Sequence, residues 1–271
     1  MNDQELKAKL REEAEGATTK KQDFPTEIIS LPSKGYFYPE DNTLSTGQIE
    51  MRYPTAKEED ILTSKNLISK GVVLDKFFES IIASKIDYNT LLIGDKTGIM
   101  VAARILAYTK NYVFNFDCPK CGTTNKETSC DLTNLQSKEI DFEKYTKGQQ
   151  EFDLELPLSK KKIKFKLLTH ADSKMIDNEL KGFKKLGSTK EITTRLKHAI
   201  IEVDGDRNLA NIAKFVESMY TQDSRELRAA IAEVTPDVEL DFPFECSECG
   251  YTNNTESIPL GPSFFYPAGR L

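Results

Sequence analysis

The stretches CPKCG (Cys118–Gly122) and CSECG (Cys246–Gly250) make one five-residue turn twice, with 123 residues between them. Two cysteines three positions apart can aim both sulfurs at one point. A glycine after the second lets the backbone turn with positive φ and bring amide hydrogens toward the thiolates. Two such turns supply four thiolates: Cys118, Cys121, Cys246 and Cys249. An all-cysteine tetrahedral shell has no position left for water or substrate, so its ion is structural. Soft sulfur ligands favour zinc over magnesium or calcium, with iron as the competing ion. The separation exceeds that of a compact zinc ribbon. We therefore expect one split ribbon, built from 118–134 and 241–260, with residues 135–240 inserted between its halves. Metal binding then closes a long loop that would otherwise oppose folding. The fifth cysteine, Cys130, reads as a small buried side chain rather than a further ligand.

The choice of metal over disulfides depends on compartment. The N-terminal stretch MNDQELKAKLREEAEG lacks the apolar core of a signal peptide, which leads us to expect a chain kept in a reducing cytoplasm. The longest apolar run, Ile99–Tyr108, is half a bilayer span and contains Arg104. Net charge is −6, so no global basic field draws nucleic acid or anionic lipid.

Along the chain the pattern predicts an α+β fold: a mainly helical body with short antiparallel hairpins and the split ribbon. Residues 1–23 read as a flexible charged arm with a thin stripe at Leu6 and Leu10. Residues 24–117 form an N-terminal helical part that opens with an aromatic extended segment, Tyr36, Phe37 and Tyr38 among prolines. In TAKEEDILTSKNLISKG, Thr55 and Glu58 make a capping box and Gly71 ends the helix. Leu74, Phe77, Phe78, Ile81 and Ile82 share a helical face, and DKTGIMVAARILAYTK reads as a central helix in which Arg104 snorkels or pairs with an acid. The insert predicts a β-hairpin, in which Phe152, Leu154 and Leu156 alternate along one strand and Ile163, Phe165 and Leu167 along the other. Helices follow it. Leu209, Ile212, Val216 and Met219 make one stripe, and Asp223 with Glu226 caps the next helix. Residues 261–271 are an aromatic C-terminal tail.

No catalytic constellation stands out. The two histidines, His170 and His198, lie near no nucleophile motif, and GDKTG at Gly94–Gly98 lacks the Gly-Lys pair of a phosphate loop. No serine elbow, HExxH or dinucleotide fingerprint occurs. The expectation is a protein that is not an enzyme. A zinc-ribbon nucleic-acid binder is the alternative. Against it, the basic runs at Lys160–Lys162 and Lys181–Lys185 read as solvated faces, and the knuckles carry Lys120 on one and Glu248 on the other.

The motifs SKGYFYP, TAKEEDILTS and ARILAY, followed by CPKCG, FECSECG and the closing IPLGPSFFYPAGRL, resemble the T-even bacteriophage baseplate hub and hub-assembly protein family. The resemblance covers most of 24–271 and is weakest over 135–240. It implies a structural or assembly part of a contractile-tail baseplate, acting through contacts with other hub proteins or with itself. Its place would be the host cytoplasm during assembly and the virion tail. Buried aromatic anchors commonly dominate interfaces, so Tyr36, Phe37, Tyr38, Phe264, Phe265 and Tyr266 are the expected partner contacts.

Overall fold

The computed structural model describes residues 24–185, 187–260 and 262–265. The arm expected over 1–23 and the tail beyond Phe265, Tyr266 included, lie outside the described residues. Strands β1 (Thr26–Ser30) and β2 (Gln48–Arg52) pair antiparallel, with Ile28 opposite Glu50. Ile49 and Met51 alternate into the core. Between the strands the aromatic segment doubles back through Lys34 and Gly35, both at positive φ. A Cβ on Gly35 would collide with the Ser45 backbone, so only glycine fits this turn.

Helices α1 (Ala56–Thr63), α2 (Lys65–Lys70) and α3 (Val73–Ile81) follow. The Thr55–Glu58 capping box forms and Gly71 caps α2 in the left-handed region. The single helix expected from Thr55 to Gly71 is instead two, broken at Ser64 with ψ 104°. The bend brings Leu67 against the core, while Ile68 stays exposed. On α3, Phe77, Phe78 and Ile81 are fully buried. The central helix α4 (Ile93–Ala107) buries Asp95, Ile99 and Ala103. Gly94 lies directly against the carbonyl of Pro236, leaving no room for a side chain.

Arg104 corrects the sequence reading. It is 5% exposed, stacks over Tyr108 and Tyr112 at 4.4 and 5.5 Å, and makes no ion pair to an acid among the described residues. The two ring faces supply the negative potential that a carboxylate was expected to give.

Two ribbons frame the rest. Strands β3 (Asn111–Asp117) and β4 (Thr124–Asp131) form the first; β10 (Asp241–Glu245) and β11 (Thr252–Ser257) form the second. Between them, β5 (Gln136–Ser137) pairs antiparallel with β9 (Val238–Glu239), so the segment leaving the first ribbon is bonded to the one entering the second. Inside this closure lie β6 (Glu151–Glu155), β7 (Lys162–Lys166) and β8 (Ile200–Val203), in the order β6-β7-β8. Helices α5 (His170–Lys185), α6 (Glu191–Ala199), α7 (Leu209–Glu217) and α8 (Thr221–Val234) complete the segment between β5 and β9.

Two details of the insert depart from expectation. Leu209 opens α7 and is 74% exposed, so the buried stripe begins at Ile212. Asp223 does not cap α8. It is fully buried, and its carboxylate accepts the N–H groups of Leu158 and Ser159, which fixes the β6–β7 loop onto α8. A carboxylate in the first helical turn can serve another segment's amides when that segment is closer than its own N-cap.

Candidate metal centre

Each ribbon ends in one cysteine turn, and the turns are built alike. The Gly122 N–H donates to the Cys118 carbonyl at 2.8 Å, and Gly250 N–H to that of Cys246 at 3.0 Å. Cys118 N–H donates to Thr123 O at 2.9 Å, and Cys246 N–H to Tyr251 O at 2.8 Å. Gly122 and Gly250 have φ of 74° and 63°, as the turn requires.

Aromatic rings bring the two ribbons together. Phe114 meets Phe242 at 5.2 Å between centroids, and Phe116 meets Phe242 at 5.3 Å and Phe244 at 4.7 Å. This edge-to-face cluster buries the inner faces of both hairpins and sets their tips side by side. The four sulfurs then lie within 4.8 Å of one another. Cys118 Sγ is 3.8 Å from Cys249 Sγ, and Cys121 Sγ is 3.7 Å from Cys246 Sγ. Zinc–sulfur bonds of about 2.3 Å place tetrahedral sulfurs about 3.8 Å apart, so the residues fit the ion. Cys118 and Cys246 are buried, whereas Cys121 and Cys249 are exposed. Cys130 sits on β4, partly buried and apart from this cluster.

The electrostatics are those of four sulfurs crowded into one place. Backbone amides of Cys249 and Glu248, against the effect of burial, hold the Cys246 thiol down to about 6, with help from the Asn125 side chain. Thr123, through its hydroxyl and its amide, lowers Cys121. The Tyr251 amide pulls Cys249 the same way, yet the three neighbouring sulfurs push that thiol up to about 12. Four thiolates at these distances repel one another unless a cation sits among them.

The similarity of the two halves runs beyond the turns. Residues 114–125 and 242–253 align as F-x-F-x-C-x-x-C-G-x-T-N, with seven of twelve positions identical. Both ribbons shift register at the same place, between Phe114 and Phe116 and between Phe242 and Phe244. Sequence reasoning stopped at the five-residue turn and missed Asn125, which reaches from the first ribbon into the second turn. The repeated Thr-Asn three residues after each second cysteine was the available signal.

Of the aromatic residues expected to meet a partner, those described, Tyr36, Phe37, Tyr38, Phe264 and Phe265, pack inside the chain. Phe37 and Tyr38 are each 2% exposed, and Phe264 and Phe265 are fully buried. Phe37 packs against Phe142, Tyr145 and Phe152. Tyr38 donates to Asp95 at 2.6 Å and accepts the Leu92 N–H. Tyr36, half-buried, donates to Tyr145 O at 2.8 Å. Phe264 lies on Tyr112 at the base of the first ribbon, and Phe265 lies between Phe77 and Phe78 of α3. They join ribbon to helices and have no surface to offer a partner in this arrangement.

A model of the family described as T4 bacteriophage base plate protein matches residues 26–265, most of the chain and both ribbons. The chain belongs to that family. No curated protein and no solved structure matches it. No helix among the described residues is long and apolar enough to cross a membrane.

Proposed function

We propose that this protein is a structural or assembly component of the baseplate hub of a contractile phage tail, shaped in part by one zinc ion held by Cys118, Cys121, Cys246 and Cys249. The observation that carries the baseplate reading is the single family match running through both ribbons and the segment between them. The zinc reading rests on four sulfurs at tetrahedral spacing. The ion would join the two halves of a ribbon split by 135–240, and the β5–β9 pairing at the base of the insert supports that division. Its partners are other hub proteins, met in the host cytoplasm during assembly and retained in the tail if the protein is a virion component.

The test has two arms. Tagged protein recovered from infected cells should bring down hub chains. Metal analysis of the purified protein should find one zinc per chain and negligible iron. Recovery without any baseplate chain would overturn the structural role. Salt-sensitive retention of DNA or RNA would favour a nucleic-acid binder instead.

A further inference from the structure

We propose that Asn125 is the positioning residue of the metal centre, and that it holds the ligand sulfur of only one of the two knuckles, at Cys246; the inference rests on the four-cysteine reading above. Asn125 lies on β4 and is 7% exposed. Its Nδ2 donates to Cys246 Sγ at 3.6 Å and to the Thr123 carbonyl at 3.1 Å. Its Oδ1 accepts both the Ser247 N–H and the Ser247 hydroxyl, each at 2.9 Å. A buried side-chain amide has two N–H donors and two acceptor lone pairs, and here all four are used. One side chain of the first ribbon thus grips the second turn at its first sulfur and at the next residue.

The internal repeat provides a built-in control. Asn253 occupies the corresponding position of the second ribbon, and the residue corresponding to Ser247 is Pro119. Proline has neither an N–H nor a hydroxyl, so Pro119 offers Asn253 none of the donors that anchor the Asn125 carbonyl. Asn253 turns to its own strand: Nδ2 donates to Glu256 at 2.8 Å, and Oδ1 accepts the Thr255 N–H at 3.1 Å and its hydroxyl at 2.9 Å. No bond from Asn253 to Cys118 occurs among the described residues. The two halves share a backbone and four ligands but differ in what lies behind them. A donor to a thiolate stabilises its charge and fixes its direction, and loss of such outer partners typically weakens metal binding about 10- to 100-fold.

The experiment titrates the purified full chain with zinc against a chromophoric chelator, and with cobalt as a spectroscopic probe of the thiolate shell. Asn125→Ala should weaken zinc binding by about 10-fold or more and alter the sulfur-to-cobalt charge-transfer bands. Asn253→Ala should change neither by more than about 2-fold, since its partners lie away from the sulfurs. Ser247→Pro makes the second turn copy the first. It removes the two Ser247 donors but leaves the Asn125 bond to Cys246, so it should weaken binding in the same direction as Asn125→Ala and by no more, even if Asn125→Ala folds poorly. The double variant should be no weaker than the weaker single, because both remove one linkage. Equal effects of Asn125→Ala and Asn253→Ala, or additive losses in the double variant, would overturn the proposal while leaving the four-cysteine site intact. A wild-type chain that shows no tetrahedral thiolate spectrum with cobalt would instead remove the metal reading, and this inference with it.

Discussion

The ribbons and the helical body both join segments far apart in the chain, and they do so with different chemistry. The body uses buried carboxylates. Asp95 on α4 accepts the Ser33 N–H at 2.8 Å, the Ser33 hydroxyl at 2.7 Å and the Tyr38 hydroxyl at 2.6 Å. Asp223 acts likewise on the β6–β7 loop, accepting the Leu158 and Ser159 N–H groups. These links are complete as soon as the chain folds, since donors and acceptors belong to it. The ribbons use thiols, whose arrangement is repulsive once ionised and becomes favourable only around a cation. Closure of the body is therefore intrinsic, whereas on the proposed reading the pairing of the ribbon tips would be completed by an ion.

That contrast is broken most forcefully at the sulfurs. A strong chelator, or Cys118→Ser, should remove the ion and open the paired ribbon tips. Structural zinc is worth on the order of 10 kcal/mol in small domains, so this is the largest effect expected. The measurement is thermal unfolding with and without chelator, read by zinc content and by near-ultraviolet dichroism of the Phe and Tyr clusters. A transition belonging to the ribbons should move, and that of the body should stay. A single cooperative collapse of the whole chain would show that the body also depends on the ion.

Asp95→Ala comes next and strikes the other side. It leaves three buried donors without their acceptor, at about 1–3 kcal/mol each before relaxation, so a loss of about 3 to 5 kcal/mol is expected. Urea unfolding with zinc saturating would read it. Unchanged zinc affinity in that variant would confirm that the two kinds of closure are separate; a parallel fall in affinity would join them.

Much of this was legible in the residues, and the exceptions share a cause. Local rules account for the cysteine turns, the capping box at Thr55 and Glu58, the hairpin of Phe152 and Phe165, and the buried face of Phe77, Phe78 and Ile81, because spacing alone decides them. Local rules fail where a side chain answers to a distant segment. Asp223 sits where a cap is expected and serves the β6–β7 loop. Arg104 finds tyrosine faces in place of an acid. Tyr38 and Phe265 resemble surface anchors in sequence because short Pro-rich segments cannot bury them locally; the fold brings α4 and α3 to them. Asn125 was hidden for the same reason, with its partner Ser247 more than a hundred residues away.

A smaller effect sharpens the comparison through pH. Burial alone would raise the Glu58 carboxyl, but Arg52 and Thr55 outweigh it and hold that group down to about 2. Its oxygens take the Arg52 guanidinium at 2.6 and 3.1 Å and the Thr55 N–H at 2.9 Å. A depressed carboxylate contributes stability above its unfolded value, near 4.5, and loses it as pH falls toward 2. Glu58→Gln should therefore cost about 2 kcal/mol at pH 7, and the gap to wild type should close between pH 5 and about 2. A gap independent of pH would assign the loss to packing.

The smallest expected effect lies in a higher window and belongs to His170. Its ring is 3% exposed and packs edge-on to Tyr88 at 4.6 Å. Nδ1 faces the Lys96 ammonium at 3.3 Å, so Lys96 donates and the ring accepts, which places the ring proton on Nε2, 3.6 Å from Asp75. Burial first, then the charges of Lys96 and Lys174, lower this group below its usual 6.5; Asp75 and Glu79 oppose them without prevailing. A histidine lowered in the folded state favours the neutral form, so the stability it contributes is full above 6.5 and declines as pH falls through the folded value. Titrating the His170 ring protons by NMR should give a midpoint below 6.5, and His170→Gln, which keeps an acceptor for Lys96, should flatten the body's stability between pH 6.5 and 5. A midpoint above 6.5 would mean that Asp75 governs the ring, and the body would then tighten on mild acidification while protonation of the thiolates releases the ion from the ribbon.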